Sequence, residues 1–277
     1  TPITQAMNEG AITRKELKKL MVRSNKPALI RLMIWICLLS ISSSLIYLSI
    51  GTWFVIPSMF IQGIILVHHF SLQHECCHYT AFKTRKLNDF FYYIASFINS
   101  FEPVRWRWSH SLHHSYTASI DPHDFEVDVS IFWKPKHLLN FLIIFIPGMG
   151  LLNIHKSLQR EIIQHAFKVE TKVMKECIPK EKKFNCIFVS RLFVFLWLLI
   201  IIFAIYINSF LPIFLLLIPK FFATPNIIWG ITQHIGLKED VKDHRLSTRS
   251  IRLNPILSFI YWKMEYHIEH HMFPMVP

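Results

Sequence analysis

The chain has 277 residues, 52% of them hydrophobic and only 17% charged, with a mean hydropathy of +0.33. That balance is too apolar for an ordinary soluble enzyme and implies membrane spans. The formal net charge of +12 invites a nucleic-acid partner, but the placement of the charges gives a simpler account and no nucleic acid is expected.

In chain order, residues 14–31 come first, with seven Lys and Arg. A basic stretch before an apolar one imitates a signal peptide. The apolar run is too long for that and has no A-x-A-like cleavage site, so it reads as an anchor. We expect residues 1–31 to be a basic cytoplasmic segment and residues 32–277 one membrane domain. From Leu32 to Leu72 there are 41 residues without Asp, Glu, Lys or Arg, about twice the roughly 20 needed to cross a hydrocarbon core. Gly51 and Thr52 lie near the middle, and Pro57 suits the first turn of a following helix. This predicts a hairpin with spans at about 32–50 and 53–72. Leu87–Val104 is also apolar and reads as interfacial or re-entrant.

A second charge-free run covers Leu192–Pro219, and its apolar character resumes after Lys220. A turn at Asn208-Ser209 would divide it into spans at about 187–207 and 210–230; one long span with an interfacial helix is the alternative. In the two-span reading Lys220 sits near mid-membrane, where an ammonium costs about 2.5–3.5 kcal/mol. Snorkelling past a helix broken at Pro219 and Pro225 is the preferred reading of it. The other is a partner for a polar group of a substrate. Fifteen Lys and Arg lie between the hairpins and six after Gly230, while neither hairpin turn has any. Four spans thus place nearly all positive charge on one face, as the cytoplasmic side requires. Such a face also attracts anionic headgroups and acidic substrates. Five cysteines, an odd number without a C-x-x-C pair, argue against a disulfide framework. The chain begins without Met and stops at Pro277 in mid-motif, as a piece of a longer protein would.

The sixteen histidines are unevenly placed. Three clusters stand out: HECCH (His74, His78), HSLHH (His110, His113, His114) and HIEHH (His267, His270, His271). On a helix, positions i, i+3 and i+4 share a face, so each cluster can aim its imidazoles at one point. HECCH alone is weak, since H-x-x-x-H is expected about once by chance at this frequency. H-x-x-H-H is expected roughly 0.05 times, and two copies about once in a thousand such chains.

HECCH also reads as H-E-x-x-H, two zinc ligands with Glu75 as general base of a membrane metalloprotease. That site needs one further ligand and gives no reason for two more three-histidine clusters. A carboxylate-bridged di-iron bundle needs two E-x-x-H motifs, and only Glu75-Cys-Cys-His78 is present. A histidine-rich metal carrier would place its site near mid-bilayer, whereas these clusters fall beyond the span ends. Six to nine convergent imidazoles suit two metals of higher coordination, and imidazole leaves open iron, zinc, copper or nickel. For HIEHH to share a site with the other two, the second apolar region must cross an even number of times, which favours four spans.

HECCH, HSLHH and HIEHH, in this order on one side of two apolar hairpins, resemble the three histidine boxes of membrane fatty-acid desaturases. The words VRWRWSHSLHHSYT, DPHDFEV and EYHIEHHMFPMVP strengthen the resemblance, which is closest to a bacterial branch of rhizobitoxine-type desaturases and hydrocarbon oxygenases. It implies an all-α integral membrane fold: four transmembrane helices in two hairpins, and a cytoplasmic helical cap holding a histidine-rich di-metal site. It further implies two non-haem irons, O2, and a lipid or acyl substrate that is desaturated or, alternatively, hydroxylated. Nine ligands carry over: His74, His78, His110, His113, His114, His234 (in ITQHIG), His267, His270 and His271. The other seven histidines are expected to be structural or solvated.

Neutral imidazoles bring no charge to offset two Fe(II) ions, so nearby carboxylates should orient them. Glu75, Glu265, Glu269, Asp121 and Asp124 are the candidates. Trp106, Trp108 and Trp229 read first as interfacial anchors, with a substrate path along them as the second expectation. No glycine-rich dinucleotide fingerprint, haem-attachment motif or iron–sulfur arrangement occurs in the sequence. Electrons are therefore expected from a separate ferredoxin or small haem protein with its reductase.

Overall fold

The computed structural model describes residues 7–10, 12–67, 69–126, 146, 158–222 and 227–277, and every regular element among them is helical. The basic N-terminal segment forms α1 (Arg14–Leu20), opened by a capping box in which Thr13 and Glu16 satisfy each other's backbone N–H groups. α2 (Lys26–Ser49) follows, with Pro27 in its first turn, where a missing N–H is harmless. At about 1.5 Å per residue its 24 residues cover about 36 Å, enough for a hydrocarbon core. Gly51, at φ 81°, turns the chain, a conformation costly for any residue with a Cβ.

The return arm is α3 (Val55–Val67) continued by α4 (His69–Cys77), an apolar run of 23 residues in all. It extends five residues past the predicted end at 72, so His74 rides on the last turns of the span itself. Polar side chains zip the hairpin together. Ser49 donates to Ser58 at 3.2 Å, Trp35 Nε1 donates to the Ile65 carbonyl at 3.2 Å, and Ser42 donates to Gln62. Such bonds between apolar helices hold packing that a lipid environment cannot drive by hydrophobicity.

α5 (Arg85–Asn99) occupies the stretch expected to be interfacial. Tyr92, Ala95 and Ser96 are buried on one face while Phe90, Tyr93 and Ile94 are exposed on the other. α6 (Pro103–Ser115) carries the second histidine cluster. Leu72, Cys76, Phe82, Tyr92, Ala95 and Trp106 form the core joining α4, α5 and α6, each large side chain contributing about 1.5–3 kcal/mol. Beyond the undescribed segment lie α7 (Leu158–Ala166) and α8 (Lys172–Glu176), then α9 (Lys180–Tyr206), the third helix long and apolar enough to cross a membrane. Ile162, Val189 and Phe193 pack α7 onto α9.

Among the described residues the predicted fourth span, 210–230, is not one of the long helices. The described part of the region holds α10 (Leu211–Leu216), a 3-10 turn at Pro219–Phe222, and α11 (Ile227–Thr232). Pro219 explains the first break, since it has no N–H to give and clashes with the preceding turn. After the turn at Asn208 (φ 49°), α10 packs on α2 and α3, where Gln62 donates to the Leu215 carbonyl at 3.3 Å. Lys220 does not snorkel outward: its ammonium donates to Ser100 and lies 5.3 Å from the Trp197 ring centroid. The chain ends in α12 (His244–Ser247), α13 (Pro255–Ile260) and α14 (His267–Met272).

Candidate metal centre

α6 begins at Glu102, whose carboxylate accepts from the N–H groups of Val104 (3.0 Å) and Arg105 (2.6 Å), with Pro103 at the first helical position. This cap fixes the phase of the helix and so the directions of His110, His113 and His114. α4 supplies His74 and His78 from one side. α14 brings His267, His270 and His271, and His234 follows α11.

The structure brings all nine predicted side chains together, but not around one point. His74, His78, His110, His114 and His270 form one group; His113, His234, His267 and His271 form another. Within each group one ligand atom per residue lies within 4.8 Å of all the others. Each three-histidine cluster is therefore divided, contrary to the expectation of a single aim point. Residues i and i+4 of α6 (His110, His114) go to one group and i+3 (His113) to the other. α14 repeats the pattern with His267 and His271 against His270. Side chains four apart differ by about 40° around the helix, while those three apart differ by about 60° the other way, so a helix between two centres feeds both.

Five of the nine outer ring nitrogens find a partner, while those of His114 and His267 are buried without one. His110 Nδ1 donates to Glu126 (2.8 Å), His113 Nδ1 to Asp124 (2.8 Å), His234 Nδ1 to the Ser247 carbonyl (3.1 Å) and His74 Nδ1 to Glu75 (3.3 Å). Thr117 gives its own proton to the His113 carbonyl, so its oxygen accepts from His271 Nδ1 at 3.1 Å. These bonds fix the tautomers of those five rings and leave their Nε2 lone pairs bare and inward.

Within each group Nε2 atoms face one another. His78–His110, His110–His114 and His114–His270 approach Nε2 to Nε2 at 2.9, 3.1 and 3.0 Å in the first group. His234–His267 and His267–His271 do so at 2.7 and 3.1 Å in the second. His74 Nε2 is buried with no hydrogen-bond partner. Lone pairs aimed at lone pairs repel unless a cation lies between them. Neighbouring ligands about 2.1 Å from a shared ion, at right angles, are about 3.0 Å apart. The donor set thus fits one metal ion per group.

Electrostatics point the same way. Burial, then the neighbouring imidazoles, hold His110, His114, His267, His270 and His271 well below the usual histidine range. His234 is brought down to about 3, chiefly by burial. His113 is the exception: burial opposes its charge, but the Asp124 carboxylate outweighs it and raises the pKa. Neutral imidazole is the form that binds metal.

Of the carboxylates expected to orient these rings, Glu75 and Asp124 do so. Glu269 instead accepts from Ser250 at 2.5 Å, Glu265 accepts from Ser258, and Asp121 is exposed. Glu126 was missed by the sequence reading, although it stands two places after Asp124 in DPHDFEV. Thr117 and Ser247 left no signal. Of the two readings given for the remaining histidines, structural or solvated, His244 takes the first: it is buried, with its ring centroid 5.4 Å from that of His271. His69 stacks near Trp35 (3.5 Å) and His165 bonds Thr171 (2.8 Å), both outside the two groups. His123 lies against Phe125, whereas His68, His137 and His155 fall outside the described side chains.

Trp106 belongs to the core beneath the site, stacked on His110 at 4.4 Å and 14°, and Trp229 packs on Tyr261 at 5.5 Å. The expected tryptophan-lined path is not formed by these two. Instead a cavity of about 1500 Å³ opens on the first group, lined by His78, His110 and His114 together with Arg107 and Tyr116, and reaches His271.

Long apolar helices and two groups of clustered histidines that could each hold a metal ion define a class of helical membrane-associated proteins. This chain belongs to the fatty acid desaturase family, whose family model matches residues 51–277. A fatty acid desaturase of Bacillus subtilis (strain 168) is 30% identical over 56 residues, which are 20% of this chain and 16% of that protein. The chain therefore aligns with about one-sixth of that relative's length.

Proposed function

We propose that the protein is an integral membrane, O2-dependent di-iron oxidoreductase that introduces a C=C bond into a fatty-acyl chain. The observation that carries this reading, within the family just given, is the pair of histidine groups with bare, facing Nε2 atoms. His74, His78, His110, His114 and His270 would hold one iron, and His113, His234, His267 and His271 the other. Imidazoles suit iron, and Glu75, Asp124 and Glu126 supply negative charge behind them. A zinc protease is disfavoured at Glu75: the carboxylate accepts from Thr80 at 2.7 Å and from the outer nitrogen of His74. It is committed to orienting a ligand instead of serving as a base.

The overall change is CH2–CH2 plus O2, two electrons and two protons, giving CH=CH and two waters. Bound iron would supply the reductive activation of O2 and the oxidising power to remove hydrogen from an unactivated methylene. The protein holds five of the rings in fixed tautomers, keeps water from the second group by burial, and leaves the first group open to the cavity. Electrons would come from a separate ferredoxin or small haem protein with its reductase. In this reading the interrupted stretch 210–230 completes a fourth crossing, so that all three histidine clusters and the basic residues face the cytoplasm. Residues 1–31 form the basic cytoplasmic segment and 32–277 the desaturase-type domain.

Detergent-purified protein should contain two irons per chain. A host expressing the full-length protein with a matched donor should accumulate new unsaturated acyl chains, lost in H270A at equal protein level. One zinc per chain would overturn the reading; a new alcohol in place of an alkene would assign hydroxylation to the same centre.

A further inference from the structure

Arg105 sits five residues before His110 on α6 and touches neither histidine group, yet it is only 8% exposed. An arginine is rarely so buried unless its fork is committed to partners. Its Nε donates to Glu161 of α7 at 2.9 Å and its Nη1 to the Ser109 hydroxyl at 2.9 Å. Ser109 is fully buried and its hydroxyl lies 3.1 Å from Glu126 Oε1. The other oxygen of Glu126 receives His110 Nδ1 at 2.8 Å. An unbroken chain of hydrogen bonds thus runs from Glu161 of α7 through Arg105, Ser109 and Glu126 to one imidazole of the first group.

We propose that Arg105 is a positioning residue for the first metal: through Ser109 and Glu126 it sets the orientation and donor strength of His110. The inference rests on the two-metal reading above. Two further observations support it. First, capping does not account for the guanidinium, because the N-terminus of α6 is already capped by Glu102 through backbone N–H groups. Second, among the described residues no arginine-linked chain of this kind is found behind the other group. Asp124, which holds His113, is itself fixed by the backbone N–H groups of Ala118 (2.8 Å) and Glu126 (2.9 Å). His234 and His271 lean on a backbone carbonyl and a threonine of the same neighbourhood. These contacts of the second group come from its own neighbourhood, and the first is braced across the molecule to α7.

The chemistry is that of a ligand's outer partner. A carboxylate on the far nitrogen of a histidine strengthens its lone pair, and loss of such a partner costs about tenfold to a hundredfold in metal affinity. Arg105 and Ser109 keep that carboxylate aimed at His110. Lysine at position 105 could reach one of the two partners but not both in the same fork geometry.

The test uses the purified full-length protein loaded with iron, read by metal content and by Mössbauer spectroscopy. The parent should show two irons in two distinguishable environments. R105A and S109A should each perturb one environment, weaken iron at that place about tenfold or more, and leave the other unchanged. R105K should restore part of the parental signal. S109A keeps the Arg105–Glu161 pair and removes the hydroxyl that joins Arg105 to Glu126 and also bonds the Trp106 carbonyl, so it decides the matter if R105A does not fold. Parental spectra and full iron in S109A would overturn the proposal, as would equal loss at both places. A parent with fewer than two irons would instead sink the two-metal reading.

Discussion

The two histidine groups lie side by side on the same two helices and are built differently. The second is wholly buried and held by short local contacts: Asp124, Thr117 and the Ser247 carbonyl. In the first, His78, His114 and His270 are only partly buried, and the group faces a cavity of about 1500 Å³. Its outer support comes through Glu75 and the distant α7. The contrast teaches that equivalent positions in similar clusters need not do equivalent work. A closed ring of neutral imidazoles favours a fixed ion, while an open one gives small molecules an approach.

The sharpest way to break this comparison uses neighbours in sequence. H270A should abolish iron in the first group and H271A in the second, each leaving one iron per chain and no product above background in the host assay. If both variants lose the same iron, the division of HIEHH between two centres is wrong. Next in size is a change that should reach both groups alike, because Glu102 caps the helix feeding both. Burial raises its pKa from 4.5 to about 7. The folded protein then holds a proton that the unfolded chain has released between those values, so stability falls as pH rises through that window and levels off above it. Melting temperature against pH should show this slope in the parent and lose it in E102Q, with a difference of at most about 3 kcal/mol.

E126Q and D124N sharpen the comparison further. Each removes a carboxylate from one ligand, and each should weaken metal at its own group about tenfold to a hundredfold in competitive chelation, E126Q at the first and D124N at the second. The smallest effect belongs to the membrane region. Q62A loses contacts to Ser42, Ser43 and the Leu215 carbonyl and should cost about 1 kcal/mol of stability in detergent. Its iron content should stay at the parental value.

Much of the molecule is legible before any coordinates. The charge-free runs mark the long apolar helices, and the repeated H-x-x-H-H words name side chains that the fold gathers together. The words could not tell that each would be divided, since helical periodicity gives only the angle between residues and not the direction of the partners. Nor could they reveal Glu126, because a carboxylate in a loop becomes a partner of His110 only when that loop folds back on α6.

The sequence by itself determined the chemistry on offer: neutral nitrogen donors in number, apolar helices to carry them, and few acids nearby. Tertiary packing decided how these are shared. It divided each three-histidine cluster between two groups where one aim point per cluster was expected, recruited Arg105 and Glu161 across the molecule, and interrupted the last apolar stretch at Pro219. The physical reason is range. Periodicity, capping and hydropathy act over a few residues, whereas the pairing of His110 with Glu126 or of Arg105 with Glu161 spans 16 and 56 positions and exists only once the helices have packed.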